Sequence, residues 1–251
     1  MPAARRKTDY LLIDISNSYT KVAFANRSEC DRATRIPTKE LTQTAVRRYL
    51  NTRAVRAVVV SSVVPAKNGA VRTAAANTPV LFVDAKTKLG VGVEYPAPKT
   101  IGADRLANAA AVAQLYGRPA IVVDFGTAVT FDVVSADGNY VGGVIAPGLE
   151  SMTSFLYQRT ALLPKLTLRE PESAIGKSTR AAMMSGAVYG YRGLVREIIA
   201  RIASEAFPKG KVRVVATGGY AQLIARQLPE IEAVHPGLTL EGLRLIANLN
   251  L

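Results

Sequence analysis

A strand that ends in an aspartate, followed by a turn of small polar residues and a second strand, occurs twice in this chain. The first copy runs from Leu11 to Thr20 and the second from Ile121 to Thr130. Their aspartates, Asp14 and Asp124, lie 110 residues apart in a chain of 251 residues. Any two buried strands that end in aspartate look alike. The order of strands and helices after each copy is also shared, and this favours an internal duplication.

The duplication predicts the fold class. Strand-like and helix-like periodicities alternate through each half, which is typical of α/β proteins. A second similarity between the halves supports the repeat, because the apolar strand predicted at 58–62 resembles the one at 214–218. We expect two similar α/β domains, residues 1–117 and 118–251, around a cleft. Each should contain a five-stranded mixed sheet flanked by helices.

The composition excludes several classes of protein. No apolar run approaches the roughly eighteen residues that cross a bilayer, and the basic N-terminus lacks the apolar stretch of a signal peptide. The single cysteine, Cys30, cannot form an internal disulfide, and one cysteine with one histidine, His235, does not make a structural zinc site. We therefore expect a cytoplasmic protein without a membrane partner.

The charge is strongly positive and uneven. The net charge is +13, and residues 1–117 hold 18 Lys and Arg against 8 Asp and Glu. A positive field suits an anionic ligand such as ATP, and it also suits nucleic acid. We favour a solvated basic face over a nucleic-acid surface, although the basic N-terminal half is compatible with both. The densest basic segment contains Arg47, Arg48, Arg53, Arg56, Lys67 and Arg72.

The two aspartate turns have the chemistry of phosphate sites. Backbone N–H groups and short hydroxyls approach phosphate oxygens closely, and a neighbouring carboxylate can hold a cation. A third element, Thr217-Gly218-Gly219, follows a strand, and its glycines allow close approach of an adenine or ribose. Each turn alone is common as a hairpin tip, but three in this order are more specific. The polar residues that suit phosphate are Asn17, Ser18, Thr20, Lys21, Thr127 and Thr130.

In this order the three elements resemble the phosphate-1, phosphate-2 and adenosine motifs of the superfamily that contains actin, the sugar kinases and acetate kinase. The resemblance implies two ribonuclease-H-like domains around an ATP cleft, with Mg²⁺ accompanying the nucleotide. The ATP-binding residues that it implies are Asp14, Asn17, Ser18, Lys21, Thr127, Gly218 and Gly219.

The segment from Tyr95 to Arg105 resembles the pantothenate-binding segment of type III pantothenate kinases. The resemblance covers nearly the whole chain from Leu11 and is densest between residues 102 and 191. It implies ATP-dependent phosphorylation of pantothenate to 4′-phosphopantothenate, the first committed step toward coenzyme A. Further matching stretches are 122–128, 142–148, 175–179, 185–191 and 238–243.

The same resemblance implies roles for individual residues. Asp104 is the catalytic base, Asp124 holds a potassium or ammonium ion, and Thr179 reaches pantothenate from a partner subunit, which implies a homodimer. Independently, Asp104 lies in the first turn of a predicted helix, whose dipole favours the ionised carboxylate. The alternative is that Asp104 and its neighbour are ordinary helix-end and surface charges. The implied pantothenate contacts are Tyr95, Gly102, Ala103, Asp104, Arg105 and Thr179.

The first phosphate motif departs from the family pattern. Ser16 stands where the first phosphate motif usually has glycine, and a serine there is strained if the turn needs a positive φ. Ser16 and the basic segment leave open a second function, a weakly active or inactive nucleotide-binding relative that acts as a regulatory factor. A third function, a kinase of this fold for another hydroxy acid, is disfavoured by the intact segment from Gly102 to Arg105.

Overall fold

A computed structural model describes residues 8–208 and 210–251. The chain forms two compact units, one made of residues up to Leu115 together with Gly237–Leu251, the other of Tyr116–Pro236. The chain thus leaves the first unit two residues before the predicted boundary and returns to it near the C-terminus. None of the helices in the described ranges is long and apolar enough to cross a membrane.

The elements of the first unit up to residue 115 are, in chain order, β1 (Tyr10–Ile15), β2 (Tyr19–Ala25), β3 (Thr34–Pro37), α1 (Gln43–Thr52), β4 (Ala57–Ser62), α2 (Pro65–Ala74), β5 (Val80–Phe82), β6 (Gly92–Val93) and α3 (Ala103–Leu115). Those of the second unit are β7 (Ala120–Phe125), β8 (Ala128–Val134), β9 (Asn139–Pro147), α4 (Leu149–Arg159), α5 (Thr179–Ala206), β10 (Arg213–Gly218), α6 (Ala221–Ala225) and β11 (Ala233–Val234). The chain then returns to the first unit as α7 (Leu238–Asn250).

Both units share one strand topology. The first orders its strands β3-β2-β1-β4-β5, and the second orders its own β9-β8-β7-β10-β11. In each, the first three strands in the chain pair antiparallel and the last two join in parallel. The predicted fold class, two duplicated mixed sheets with flanking helices, is confirmed, although the second sheet has six strands in all, one more than predicted.

Alternation along the central strands places the aspartates. Leu11, Ile13 and Ile15 of β1 point into a core built with α1 and α2, and successive side chains of a strand point to opposite faces. Asp14 therefore lies on the other face, where α3 and α7 pack against β1 and β4. In β7, Ile121, Val123 and Phe125 likewise point into the core with α5, so Asp124 lies on the opposite face of its own sheet.

Close packing explains why α7 belongs to the first unit. A side chain at Gly242 of α7 would collide with the backbone carbonyl of Ala107 in α3, so the two helices touch backbone to backbone. Thr239 of α7 also donates a hydrogen bond of 2.9 Å to the Asn108 side chain, and both residues are buried. These contacts join the end of the chain to α3.

Candidate active site

The turn between β1 and β2 presents polar groups above a buried carboxylate. Asp14 is 2% exposed, and Nζ of Lys21 lies 4.0 Å from its Oδ2. Asn17 and Ser18 are exposed at the tip of the turn. The structure thus brings together the four residues that were predicted to form the first phosphate motif.

Thr38 holds this turn in place. Its hydroxyl donates to the Ser16 carbonyl at 2.6 Å and its amide to the Ser18 carbonyl at 3.0 Å. The buried hydroxyl of Thr20 lies 3.0 Å from that of Thr38, so Thr20 supports the turn through its hydrogen bond with Thr38. No sequence pattern marks Thr38, because a threonine between a strand and a helical turn is ordinary.

Ser16 adopts a backbone conformation open to any residue. Among the described residues, positive φ occurs only at glycines, and neither Ser16 nor its counterpart Gly126 has it. The Ser16 amide donates to the Tyr19 carbonyl at 3.2 Å, which closes the turn. The strain that would follow from a left-handed serine is therefore absent in this turn.

Asp104 lies in the first turn of α3, with its carboxylate folded back toward Gly102. Its Oδ1 accepts a hydrogen bond of 2.9 Å from the Arg105 amide. A Cβ on Gly102 would lie 2.5 Å from this oxygen and 3.3 Å from Val63, which directly follows β4. Glycine at 102 thus makes room for the Asp104 carboxylate.

The acceptor segment lies near the Asp14 turn in the first unit. Val63, which contacts Gly102, comes at the carboxyl end of β4, and β4 pairs in parallel with β1 so that Ser61 is the register partner of Asp14. Ala103 is buried, and Tyr95 and Arg105 are half-buried. Asp14 and the segment around Asp104 therefore occupy one edge of this sheet, the edge where parallel strands commonly bind ligands.

In the second unit, α4 packs its beginning onto the phosphate turn. The carbonyl of Thr127 accepts hydrogen bonds from the Gly148 amide at 3.1 Å and from the Ser151 hydroxyl at 2.8 Å. Thr127 itself is exposed at the tip, and Asp124 is half-buried. Ser151 was missed from the sequence, since a helical serine is usually solvent-facing.

The two glycines after β10 lie against the same turn. Gly218 has φ +94°, and a Cβ there would be 2.6 Å from Oδ1 of Asp124 and from the Phe125 backbone. Glycine is required here for both the conformation and the space. At Gly219 the position that a Cβ would occupy has no other atom within 4 Å. Asp124, Thr127, Gly218 and Gly219 thus lie together.

A cavity of about 280 Å³ in the second unit adjoins this turn. The Tyr220 amide donates to the Phe125 carbonyl at 3.4 Å, and its hydroxyl donates to Glu150 at 3.0 Å. The cavity therefore begins next to the paired glycines and combines polar and apolar walls. Its lining includes Glu150, Thr153, Lys165, Leu166, Leu168 and Tyr220.

Thr179 lies at the start of the long helix α5. It is the first residue of α5, it is exposed, and the preceding Ser178 caps the helix by accepting a bond of 3.1 Å from the Ala181 amide. Its predicted role stays a prediction.

The donor set can be tested against the implied cations. No group of three or more His, Cys, Asp or Glu side chains gathers in the described part of the chain. Mg²⁺ is commonly held by one or two carboxylates, waters and substrate phosphates rather than by a cage of side chains. The single aspartate beside the first phosphate turn, Asp14, fits that arrangement.

The basic segment is largely used within the first unit. Lys67 donates to the carbonyls of Lys39 and Leu41 at 2.9 and 3.1 Å. Arg53 pairs with Asp31 at 2.5 Å, and Arg72 stacks 4.2 Å above the Phe82 ring. These contacts account for three of its cations as structural groups.

Comparison with known proteins identifies the family. The model of the type III pantothenate kinase family matches residues 10–201. The chain belongs to this family. It is 49% identical over 248 residues to the type III pantothenate kinase of Akkermansia muciniphila, covering 96% of this chain and 99% of that protein. It is 42% identical over 239 residues to that of Methylacidiphilum infernorum, covering 95% and 88%.

The fold of this family member extends to more distant structures. The ethanolamine utilization protein EutJ from Carboxydothermus hydrogenoformans superposes with a TM-score of 0.57 at 14% identity, covering 97% of this chain and 91% of that one. At that identity the likeness concerns the fold alone. Family membership was predictable from the Tyr95–Arg105 segment, and it is now confirmed.

Proposed function

We propose that the chain transfers the γ-phosphoryl group of ATP to pantothenate and so forms 4′-phosphopantothenate, the first step of coenzyme A biosynthesis. The observation that carries the proposal is the family match, with relatives named type III pantothenate kinase at 42% and 49% identity over almost the whole chain. The segment from Tyr95 to Arg105 is intact, and it contains most of the residues to which the family resemblance assigns pantothenate binding and base catalysis.

Asp104 acts as the base toward the attacking alcohol. Phosphoryl transfer depends mainly on positioning and charge neutralisation, so a weakly basic but well-placed carboxylate is sufficient. The Arg105 amide fixes one carboxylate oxygen at 2.9 Å, and the start of α3 favours the ionised form. A carboxylate held in this way can accept the alcohol proton, and the Arg105 guanidinium contacts the pantothenate carboxylate or amide.

The first unit also contacts the nucleotide. Asn17 and Ser18 at the exposed turn donate to phosphate oxygens, and Lys21 adds a positive charge beside them. Asp14 would hold a Mg²⁺ ion that accompanies the phosphates. Magnesium supplies charge neutralisation of the transferred group when bound.

The second unit supplies the remaining nucleotide contacts. Thr127 would contact a phosphate, and Asp124 would hold a potassium or ammonium ion that offsets the phosphate charge. Gly218 and Gly219 lie flat against the adenosine, and the adjoining cavity near Tyr220 receives part of it. The mixed lining of that cavity and its volume of about 280 Å³ are compatible with a purine.

We further propose that the enzyme is a homodimer in which Thr179 reaches the pantothenate of the partner subunit. Large apolar side chains on and after α4 support this, since exposed apolar groups of this kind mark interaction surfaces. Size-exclusion chromatography with light scattering should give twice the monomer mass. The exposed residues are Met152, Phe155, Leu156, Leu162 and Ile175, with exposed fractions of 40%, 57%, 42%, 89% and 81%.

The regulatory alternative loses one of the two features that supported it. Ser16 sits without positive φ in a turn whose hydrogen bonds are made. Several cations of the basic segment are engaged with their own unit. The turn at Ser16 then does not favour a protein without kinase activity, and in the basic segment Arg47 and Arg48 remain exposed.

A coupled assay with ATP, magnesium, potassium and a panel of hydroxy acids tests the proposal. Pantothenate should be the preferred acceptor, and Asp104→Asn should lower the rate by about a hundred- to ten-thousandfold. Asp84→Asn is the matched control, because Asp84 is an exposed aspartate whose side-chain oxygen accepts the Lys86 amide at 2.8 Å, and asparagine can do the same. Near-normal turnover in Asp104→Asn would show that Asp104 is not the base.

A further inference from the structure

Two buried hydroxyls occupy equivalent positions in the duplicated units. Ser61 on β4 is the register partner of Asp14, and Thr217 on β10 is the register partner of Asp124. Both residues are 0% exposed, and within residues 8–208 and 210–251 neither hydroxyl has a hydrogen-bond partner. The duplication has therefore kept a small hydroxyl beside each phosphate-turn aspartate.

A buried hydroxyl without a partner is costly for folding. Its hydrogen bonds to water are lost without replacement, and an apolar group of the same shape would avoid that loss. Valine has nearly the shape of threonine, so folding alone does not explain a threonine at 217. Unsatisfied buried polar groups in native proteins often belong to sites that bind an ion or water.

The geometry around Thr217 points to the nature of that ligand. Register partners in parallel strands project from the same face of the sheet, so the Thr217 hydroxyl and the Asp124 carboxylate share a face. The carboxylate also leans toward β10, since a Cβ on Gly218 would be only 2.6 Å from its Oδ1. A carboxylate and a hydroxyl thus lie on one face of the sheet at the carboxyl ends of β7 and β10, beside the Thr127 turn.

We propose that the Thr217 hydroxyl is the second protein oxygen of the monovalent-cation site at Asp124. The inference rests on the proposed function, which places that cation beside the ATP phosphates. A neutral oxygen next to one carboxylate replaces part of the hydration shell of potassium without adding the second negative charge that favours divalent ions. The cation in turn supplies the interaction that the buried hydroxyl otherwise lacks.

Thermal unfolding with a non-hydrolysable ATP analogue and magnesium tests this directly. Potassium chloride replaces choline chloride at constant ionic strength, because a ligand that binds the folded state raises its stability with concentration. Thr217→Val should raise the half-saturating potassium concentration about tenfold, the effect of losing one oxygen ligand. In choline alone it should unfold at the same temperature as wild type or higher. Thr217→Ser should keep the potassium response.

Thr239→Val is the matched control, because Thr239 is a buried threonine whose hydroxyl is hydrogen-bonded, to Asn108. It should unfold at a lower temperature in both salts and keep the wild-type potassium dependence. If Thr217→Val behaves in that way, the Thr217 hydroxyl is structural and the inference is wrong. A wild-type protein stabilised by the analogue but not by potassium also overturns the inference while leaving nucleotide binding intact. A protein that does not respond to the analogue overturns the proposed function as well.

Discussion

Gly148 directly precedes α4 and lies against the phosphate turn of the second unit. Gly148→Ala should displace this turn, although alanine can adopt the backbone dihedral angles of Gly148. Gly148 has φ −68° and ψ 157°, which alanine adopts readily. An added Cβ, however, would lie 2.6 Å from the Gly126 carbonyl oxygen and 2.7 Å from the Thr127 carbonyl carbon. These are backbone atoms, so the turn itself must move.

The size of the movement sets the expected effect. Ordinary van der Waals contact begins near 3.4 Å, so the turn must retreat by roughly 1 Å. Overpacking of this kind costs about 1–3 kcal/mol of folding free energy. A displacement of about 1 Å in a positioning group can cost about a hundredfold in rate. Because the turn carries Thr127 and Asp124, we expect a raised KM for ATP together with a lowered kcat.

The coupled kinase assay and urea unfolding measure the two effects separately. The control is Gly69→Ala in the middle of α2, where nothing lies within 4 Å of the added methyl. That change should raise stability by about 0.5–1 kcal/mol and leave the kinetics unchanged. A Gly148→Ala enzyme with kcat and KM for ATP within twofold of wild type would refute the reasoning.

Two further changes test one turn of the candidate site and one ion pair of the second unit. Ser16→Gly should change the KM for ATP only modestly, because serine already adopts the native φ without strain. It should lower stability by a few tenths to about 1 kcal/mol, because glycine increases the conformational entropy of the unfolded chain. An inactive wild type whose turnover is restored by Ser16→Gly would contradict this. Arg192 donates to both Glu170 oxygens at 2.8 and 2.6 Å, so Arg192→Lys should lower stability by about 1–3 kcal/mol in urea unfolding through loss of the paired contact. The hydrogen bond from Arg192 lowers the pKa of Glu170, so this contribution is present at neutral pH and is lost as the pH falls through the acidic range below the usual glutamate pKa. Arg192→Lys should therefore lose less stability on acidification than wild type, and equal losses would exclude the link.

The hydrophobic periodicity and the order of strands and helices along the sequence were enough to predict the duplicated sheets. Buried strands such as β1 and β7 combine uninterrupted apolar residues with a terminal aspartate, a local pattern that does not depend on distant contacts. The placement of α7 in the first unit was not predictable in this way. It depends on the contact between Gly242 and Ala107, which joins residues far apart in the chain and has no periodic signal.

The sequence predicts the residues of the candidate site where family motifs specify them. It does not predict the residues outside the motifs that hold the turns in place. The turn residues Asn17 and Thr127 follow directly from the motifs. Thr38 and Ser151 hold those turns by hydrogen bonds to backbone carbonyls, and any sequence offers many such hydroxyls. The unpartnered state of Thr217 likewise becomes visible only when burial and hydrogen bonds are known.

The two duplicated turns differ at one position that bears on the cation. Across the hairpin, Asp14 is the register partner of Lys21, whereas Asp124 is the register partner of Thr130. The first carboxylate thus has an ammonium group 4.0 Å away, and the second has a neutral hydroxyl residue in the equivalent position. A fixed positive charge reduces the attraction of a carboxylate for a mobile cation. Mg²⁺ near Asp14 would be bound mainly by the phosphates that it accompanies, whereas a monovalent ion should favour Asp124.

Thr130→Lys would transfer the arrangement of the first unit to the second. Thr130 is half-buried at the strand end, so a lysine stem can run along the sheet while its ammonium group approaches Asp124. The tethered charge should replace the mobile cation, and the ratio of rates in potassium and sodium should fall toward one. Thr130→Met, which has a similar length and no charge, should keep the potassium dependence. If Thr130→Lys still requires potassium as strongly as wild type, the ion does not lie at Asp124.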